Sequence, residues 1–453
     1  MNQSSEKVLK DAQTQKIYLL AALAVTLSLS VISIYRVSTL KMQDLYFFYP
    51  LRNVTYAFTC LIIYLILAQN KKIKSKLVNK KKTKKAFVSS IAFVMTFYTW
   101  YLWYFRDGYA NAGVHGTRVI DFFSGAGDGN RFLDGSGWLR LGSDCNYVLS
   151  GINVCDKYTY PKFSVQIGLL LDKIDFVSLK GLPLITLTVF VLCVVSIFKI
   201  TRDSNRWLIS ILIISPSMVF VIDRANLDFL IMIILVCSLY LLKSPSLNVY
   251  QFITFLILFQ FSAALKIYTL LAMPLALRKI RKMRRVIFIF VTLINCLNGL
   301  RNDWIFVIKN APEPGIQGSG FVNLFKIWSG DYSSSILNES SSLLVRIAAG
   351  TIVILISSAI RSEAFFLTHS LLAFHFLLWA TGVSFLYKNI FLVAALICYI
   401  FENSNEKRFN DSFVIMVMIA NVFLGKADIL VNSLNFFFLC YLVTKISRLE
   451  RCT

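Results

Sequence analysis

The sequence predicts an all-α protein, a polytopic bundle of about 12 to 14 transmembrane helices. Hydrophobic residues make up 57% of the 453 residues and aromatic residues 14%, a more apolar composition than soluble domains usually have. Apolar runs long enough to cross a bilayer recur from end to end, and basic residues collect in short segments between them. Both patterns are typical of a membrane protein with many spans.

The candidate spans follow one another along the whole chain. The first begins after a polar stretch and lacks a small-residue cleavage pattern, so we expect no removable signal peptide. The spans run near 17–35, 53–69, 86–105, 182–199, 207–222, 227–242, 249–265, 286–300, 343–360, 364–381, 389–401, 412–424 and 428–444.

The net charge of +23 would indicate nucleic acid as the partner of a soluble protein, but here the basic residues lie in short loops. The 71–85 loop is rich in lysine and has no acidic residue, and a second basic loop covers 278–285. The positive-inside rule places both loops in the cytoplasm, with both termini, so we expect a multi-pass protein of the inner membrane and no nucleic acid. Contact of the 71–85 loop with anionic lipid is an alternative reason for its lysines.

With those loops inside, two long polar segments fall outside the membrane. The first, 106–181, has balanced charge, and both it and 301–342 contain many aromatic residues, which argues against disorder. This organisation predicts three regions: a two-span N-terminal hairpin over 1–85, a transmembrane module over 86–300, and the second outer loop with the C-terminal helices over 301–453.

Charged residues next to or within the spans indicate a site, because each costs about 2.5 to 3.5 kcal/mol at a helix centre. A polar turn lies at 223–228, between two apolar runs. Eleven residues separate Lys266 from Arg278, about 16 Å of helix, so we expect the return leg between them to be short, broken or tilted. Lys266 would lie at the outer turn, with its ammonium either in a cavity or snorkelling to the interface.

Counting the membrane crossings from the cytoplasmic loops places three cations on the outer side of the membrane: Arg224, Lys266 and Lys388. Arg provides a bidentate fork and Lys a point charge, which suits the phosphate or pyrophosphate of a lipid carrier. Two simpler roles remain open at this turn. Asn226 is well placed to cap the following helix, and Arg224 is also suited to be an interface anchor.

The order of three short motifs within 220–395 resembles a known family. The sequence Arg-Ala-Asn-Leu-Asp at 224–228 is similar to an Arg-Gly-Asn-x-Asp turn, with Ala in place of Gly. Lys-Ile-Tyr-Thr at 266–269 is similar to a Lys-hydrophobic-Tyr-Pro turn, with Thr in place of Pro, and 385–390 is similar to a late Tyr-x-Tyr-Arg-Leu element. The chain thus resembles the lipid-dependent glycosyltransferases of the C superfamily, most closely the family 87 polyprenyl-phosphate-hexose-dependent mannosyltransferases.

The resemblance implies an integral membrane hexosyltransferase that works on the extracytoplasmic face. Its donor would be a polyprenyl-phosphate hexose, its acceptor a lipid-linked or cell-envelope glycan or glycolipid, and it would need no cofactor. The residues implied to bind the donor phosphate are Arg224, Asn226, Asp228, Lys266, Tyr268 and Lys388.

The general base would be a carboxylate in the outer loop that precedes the Arg-x-Asn turn. Asp121 is the first candidate because aromatic residues follow it, with Asp128 and Asp44 as alternatives. Asp121 also fits a plain ion pair with Arg118. Trp138 and Trp328 of the two outer loops are candidates for stacking on the acceptor sugar, although interface anchoring is the commoner role of Trp.

Other chemistries find little support in the sequence. It contains no Gly-rich phosphate loop, HExxH, CxxC or GxSxG motif and only three histidines, so we do not expect a nucleotide or metal enzyme, and the metal dependence of the transfer stays open. A polysaccharide polymerase or ligase, and a flippase or transporter of lipid-linked glycans, remain alternatives. Cys145 and Cys155 share an outer loop and would pair in an oxidising compartment or stay reduced otherwise.

Overall fold

The computed structural model describes part of the chain, and that part is helical. Within it there is no strand, which confirms the all-α class. The described residues are 90–95, 161–173, 181–201, 205–223, 226–244, 247–302, 304, 347–348, 350–355, 365–380, 386–403, 413–415, 417–418 and 436–445.

Ten α-helices and two 3₁₀ segments of the described ranges position the site. The helices are α1 (Lys162–Asp172), α2 (Gly181–Ile200), α3 (Arg206–Ile213), α4 (Pro216–Asp223), α5 (Leu227–Leu242), α6 (Val249–Leu265), α7 (Met273–Leu277), α8 (Lys282–Asn302), α9 (Phe366–Ala380) and α10 (Ile390–Glu402). The 3₁₀ segments are Ile267–Ala272, between α6 and α7, and Leu386–Asn389, before α10.

Most described helices coincide in sequence with the expected spans, but the segment expected as one span at 207–222 is not a single continuous helix. It consists of two short helices, α3 and α4, which meet at Ser215. The cause is Pro216, which has no N–H to donate and so cannot continue the hydrogen bonding of α3. Ser215 N donates instead to the nearer Leu212 carbonyl at 3.2 Å, which tightens and ends α3.

The segment after α6 has the short, broken return leg that the sequence predicts. Lys266 ends α6 in an extended conformation, with φ −146° and ψ 117°, and the 3₁₀ segment and α7 follow it. Lys279, just after α7, lies with its Nζ 5.1 Å from the centroid of the Phe366 ring at the start of α9. The chain therefore turns at Lys266 and runs back toward the N-terminal end of α9.

Helices α5, α9 and α10 form the centre of the described bundle. Nearly all residues of α9 are buried, because this helix is apolar on every side and packs against other helices on every side. Phe374 of α9 packs edge to face on Phe391 of α10, with ring centroids 4.9 Å apart. Such contacts fix α9 and α10 against each other and against the start of α5 and the turn after Lys266.

Helix α8 presents large apolar side chains to the outside. Met283, Phe290 and Leu297 are 78%, 62% and 66% exposed. Within the described ranges, Lys282–Arg301 is the one helix whose length and composition suffice to cross a membrane, and 17% of its apolar stretch is buried, unlike the core helix of a soluble protein. An exposed apolar surface of this extent is typical of contact with lipid or protein.

Candidate functional site

The site begins at the N-terminus of α5, which Asn226 caps. The backbone of Asn226 is extended, with φ −69° and ψ 133°, and its Oδ1 accepts a hydrogen bond from Asp228 N at 2.8 Å. Asn is one of the preferred residues at this position because its side chain satisfies a backbone N–H of the first turn. The capping role expected for Asn226 is therefore confirmed. It also fixes Asp228 in the first turn of the helix, where the helix dipole stabilises negative charge.

Replacing Asn226 with Ala is expected to lower the free energy of unfolding by about 1 kcal/mol, because the Asp228 N–H loses its acceptor. Asn226→Ser keeps a capping oxygen and should retain most of the stability. Thermal unfolding of both variants in detergent checks this. An Asn226→Ala protein with an unchanged midpoint would contradict the capping role.

Asp228 holds two side chains of the turn that follows α6. The Tyr268 hydroxyl donates to Asp228 Oδ1 at 2.6 Å, and Lys266 Nζ lies 3.4 Å from the same oxygen. Asp228 is fully buried and Lys266 is 8% exposed. Among the described residues, Asp228 Oδ2 is also buried and has no hydrogen-bond partner. Of the two positions expected for Lys266, the snorkelling one is thus wrong, because its ammonium points inward to a carboxylate.

Lys388 approaches the same group from a third part of the chain. It lies in the 3₁₀ segment before α10, is 3% exposed, and places its Nζ 4.4 Å from the centroid of the Tyr268 ring. A buried ammonium over an aromatic face is attracted by the ring quadrupole. The rings of Phe374 and Phe391 lie 6.2 Å from that of Tyr268 and hold it in place. We call Asp228, Lys266, Tyr268 and Lys388 the basic cluster.

The structure therefore brings together several of the residues that the sequence singles out. Asn226, Asp228, Lys266, Tyr268 and Lys388 meet where α5 and α10 begin and α6 ends. Outside the described residues lie Arg224, the carboxylates Asp44, Asp121 and Asp128, the tryptophans Trp138 and Trp328, and the cysteines Cys145 and Cys155.

A second polar cluster, which the sequence did not indicate, lies at the other end of α5 and α10. Glu402 Oε1 lies 3.1 Å from Lys243 Nζ and accepts from Leu367 N at 3.1 Å, while Oε2 accepts from Thr368 N and its Oγ1 at 3.0 and 2.8 Å. Asp228 and Lys243 are separated by about 22 Å along α5. The basic cluster and Lys243 thus lie at opposite ends of α5.

No group of three or more His, Cys, Asp or Glu side chains that could hold a metal ion is found among the described residues. The described site contains two ammonium groups and one carboxylate, a donor set that suits an anion better than a cation. Comparisons of the chain with protein families, with curated proteins and with solved structures found no match.

Proposed function

We propose that the protein is a polytopic membrane hexosyltransferase. It transfers a hexose from a polyprenyl-phosphate sugar to a lipid-linked or cell-envelope glycan acceptor on the extracytoplasmic face. The observation that carries the proposal is the convergence of Lys266 and Lys388, from distant parts of the chain, on the buried Asp228 and Tyr268 pair.

Membrane insertion is supported by the outer surface of the bundle and by the charge of its loops. α8 exposes a band of large apolar side chains. Apolar helices of 10–17 residues precede and follow it in the sequence. The basic loops 71–85 and 278–285 then belong in the cytoplasm. Lys279 of the 278–285 loop lies at the start of α9, and so does Glu402, which binds Lys243, so Lys243 belongs on the cytoplasmic side. The basic cluster, at the other end of α5, belongs on the outer side.

The charges of the basic cluster favour an anion. Its described members bring two ammonium groups and one carboxylate together in a buried place. The N-termini of α5 and α10 lie beside it, and each helix N-terminus adds positive potential from its backbone N–H groups. A phosphate monoester or diester at this end would accept hydrogen bonds from these ammonium groups.

In the proposed reaction an acceptor hydroxyl oxygen attacks the anomeric carbon of the donor. The bond from that carbon to the phosphate oxygen breaks, its electron pair stays on the phosphate, and the hydroxyl proton passes to the base. Lys266 and Lys388 stabilise the charge that develops on the leaving phosphate. Asp228 has the same sign of charge as phosphate, so its part is to hold Lys266 and Tyr268 in position. Asp121 is the proposed base, with Asp128 and Asp44 as alternatives.

Substituting either lysine of the basic cluster is expected to lower transfer strongly. Lys266→Met and Lys388→Met should each lower the rate by about 10² to 10³, the usual effect of removing one group that stabilises transition-state charge. The assay incubates purified protein in native lipid with polyprenyl-phosphate hexoses and a glycan extract, and measures hexose addition by mass spectrometry. Lys243→Met, at the opposite end of the bundle, is the matched control and should retain transfer.

Asp121→Asn belongs in the same experiment, since loss of transfer in a folded protein identifies the base. Transfer that survives it moves the base to Asp128 or Asp44. A wild-type protein that transfers hexose from none of the donors would contradict the proposal and favour a polymerase, ligase or flippase.

A further inference from the structure

A cleft of about 580 Å³ lies between α1, α6 and α8, in the half of the bundle that contains the end of α6. Its size falls within the roughly 300 to 1,000 Å³ of small-molecule sites. The sequence did not point to this cleft, because α1 lies within the segment 106–181 that was expected to be an outer loop. Its walls differ in chemistry, and that difference indicates what it binds.

One wall carries side-chain amides that hold each other in place. Gln260 of α6 donates through Nε2 to Thr292 Oγ1 at 2.6 Å and accepts from Asn295 Nδ2 at 2.9 Å. Thr292 Oγ1 in turn donates to the Phe288 carbonyl at 2.7 Å. Gln166 and Asn298 also line the cleft. The network joins α6 to α8 and fixes the orientation of the Asn295 amide, which presents further hydrogen-bonding capacity to the cleft.

Three aromatic side chains, of Phe163, Phe261 and Trp304, also line the cleft. Phe163 of α1 meets Phe261 of α6 edge to face, with ring centroids 6.0 Å apart. Trp304 lines the cleft and is 5% exposed. Its indole lies directly against the backbone at Gly299, where a Cβ would overlap the ring. Glycine at this position therefore allows Trp304 its place in the wall of the cleft.

We propose that the cleft binds a neutral sugar. A sugar ring has hydroxyls for the amides and apolar C–H faces for the aromatic rings, so it matches both kinds of wall. A hydrocarbon chain would desolvate the amides without giving them partners. An anion would find one cationic side chain among the described lining residues, Lys162, against the two ammonium groups of the basic cluster.

The position of the cleft assigns the sugar a role, and that role rests on the proposed function. Ala264 lines the cleft, and Lys266 follows two residues later at the end of the same helix. The cleft and the proposed phosphate site therefore lie at the same end of α6. The cleft is the acceptor subsite in this account, in addition to Trp138 and Trp328 of the loops.

Saturation-transfer NMR on the protein in nanodiscs tests the proposal, with methyl α-hexosides and hexose disaccharides as probes and no donor present. Wild type should bind at least one of these sugars. Asn295→Leu and Gln166→Leu should each weaken binding about tenfold, the usual worth of a lost hydrogen bond, and Trp304→Leu should weaken it at least as much. Gln166 is exposed on α1, so its substitution leaves the fold intact. Trp207→Leu, on α3 and 45% exposed, is the matched tryptophan control and should bind normally.

Absence of binding by the wild type to all of these sugars would overturn the inference, and so would equal binding by wild type, Gln166→Leu and Asn295→Leu. The result is separable from the proposed transfer. Lys388→Met should bind sugar like wild type while losing transfer, and a wild type that binds sugar but never transfers hexose would overturn the proposed function while leaving the sugar site standing.

Discussion

Asp228→Asn is expected to lower the free energy of unfolding by about 3 to 5 kcal/mol, because it leaves buried lysine charge without its carboxylate. Asp228 is fully buried, and Lys266 is 8% exposed, so solvent cannot replace the lost partner. The amide oxygen of Asn still accepts from the Tyr268 hydroxyl, so the substitution removes the charge and keeps that hydrogen bond. Thermal unfolding in detergent, followed by size-exclusion chromatography, measures the loss.

A double variant separates the ion pair from other effects. Asp228→Asn combined with Lys266→Met removes both charges, and we expect it to recover most of the lost stability, since a buried ion pair is often no better than an apolar pair of similar size. The double variant should still lack transfer because Lys266 is missing. Additive losses of stability in the double variant would contradict a direct Asp228–Lys266 interaction.

Glu402→Ala is expected to have an effect of similar size, about 2 to 6 kcal/mol, because it leaves two buried backbone N–H groups without acceptors at about 1 to 3 kcal/mol each. The Glu402 side chain is 2% exposed and accepts from the backbone of Leu367 and Thr368 at the N-terminus of α9. Its loss leaves those N–H groups buried and without acceptors, and removes the negative charge that the helix dipole stabilises. The unfolding midpoint and limited proteolysis near 365 measure the result.

Lys243→Met is the control for Glu402, because it removes the cation and leaves the cap in place. The Lys243 side chain is 40% exposed, so its pair with Glu402 is partly solvated and should contribute under about 1 kcal/mol. If Lys243→Met destabilised the protein as much as Glu402→Ala, the ion pair rather than the helix cap would be the stabilising interaction.

Much of the described fold follows from local sequence. The apolar run at 227–242 has the same bounds as α5, and Asn226 caps it as its residue type predicts. The broken leg after Lys266 follows from the eleven residues between Lys266 and Arg278, which are too few for a straight helix across a bilayer. The break at Ser215 was missed because hydropathy averages over the Pro216 that causes it.

The parts that sequence reasoning missed depend on partners far along the chain. Lys266 is buried because Asp228, on another helix, receives its ammonium, and no local pattern distinguishes that from snorkelling. Glu402 binds the N-terminus of α9, more than thirty residues earlier, so its role appears only once the helices pack. The cleft likewise needs α1 to fold inside a segment whose composition resembled a loop.

The basic cluster is proposed to bind the phosphate of a lipid carrier. The most direct measurement is the affinity of the purified protein for a short-chain polyprenyl phosphate and for the matching polyprenol, in wild type and in Lys388→Met. We expect wild type to bind the phosphate at least about tenfold more tightly than the alcohol, and Lys388→Met to lose that preference, since charge-assisted contacts to phosphate are the stronger ones. Equal affinity of wild type for phosphate and alcohol, or an unchanged preference in Lys388→Met, would contradict the claim.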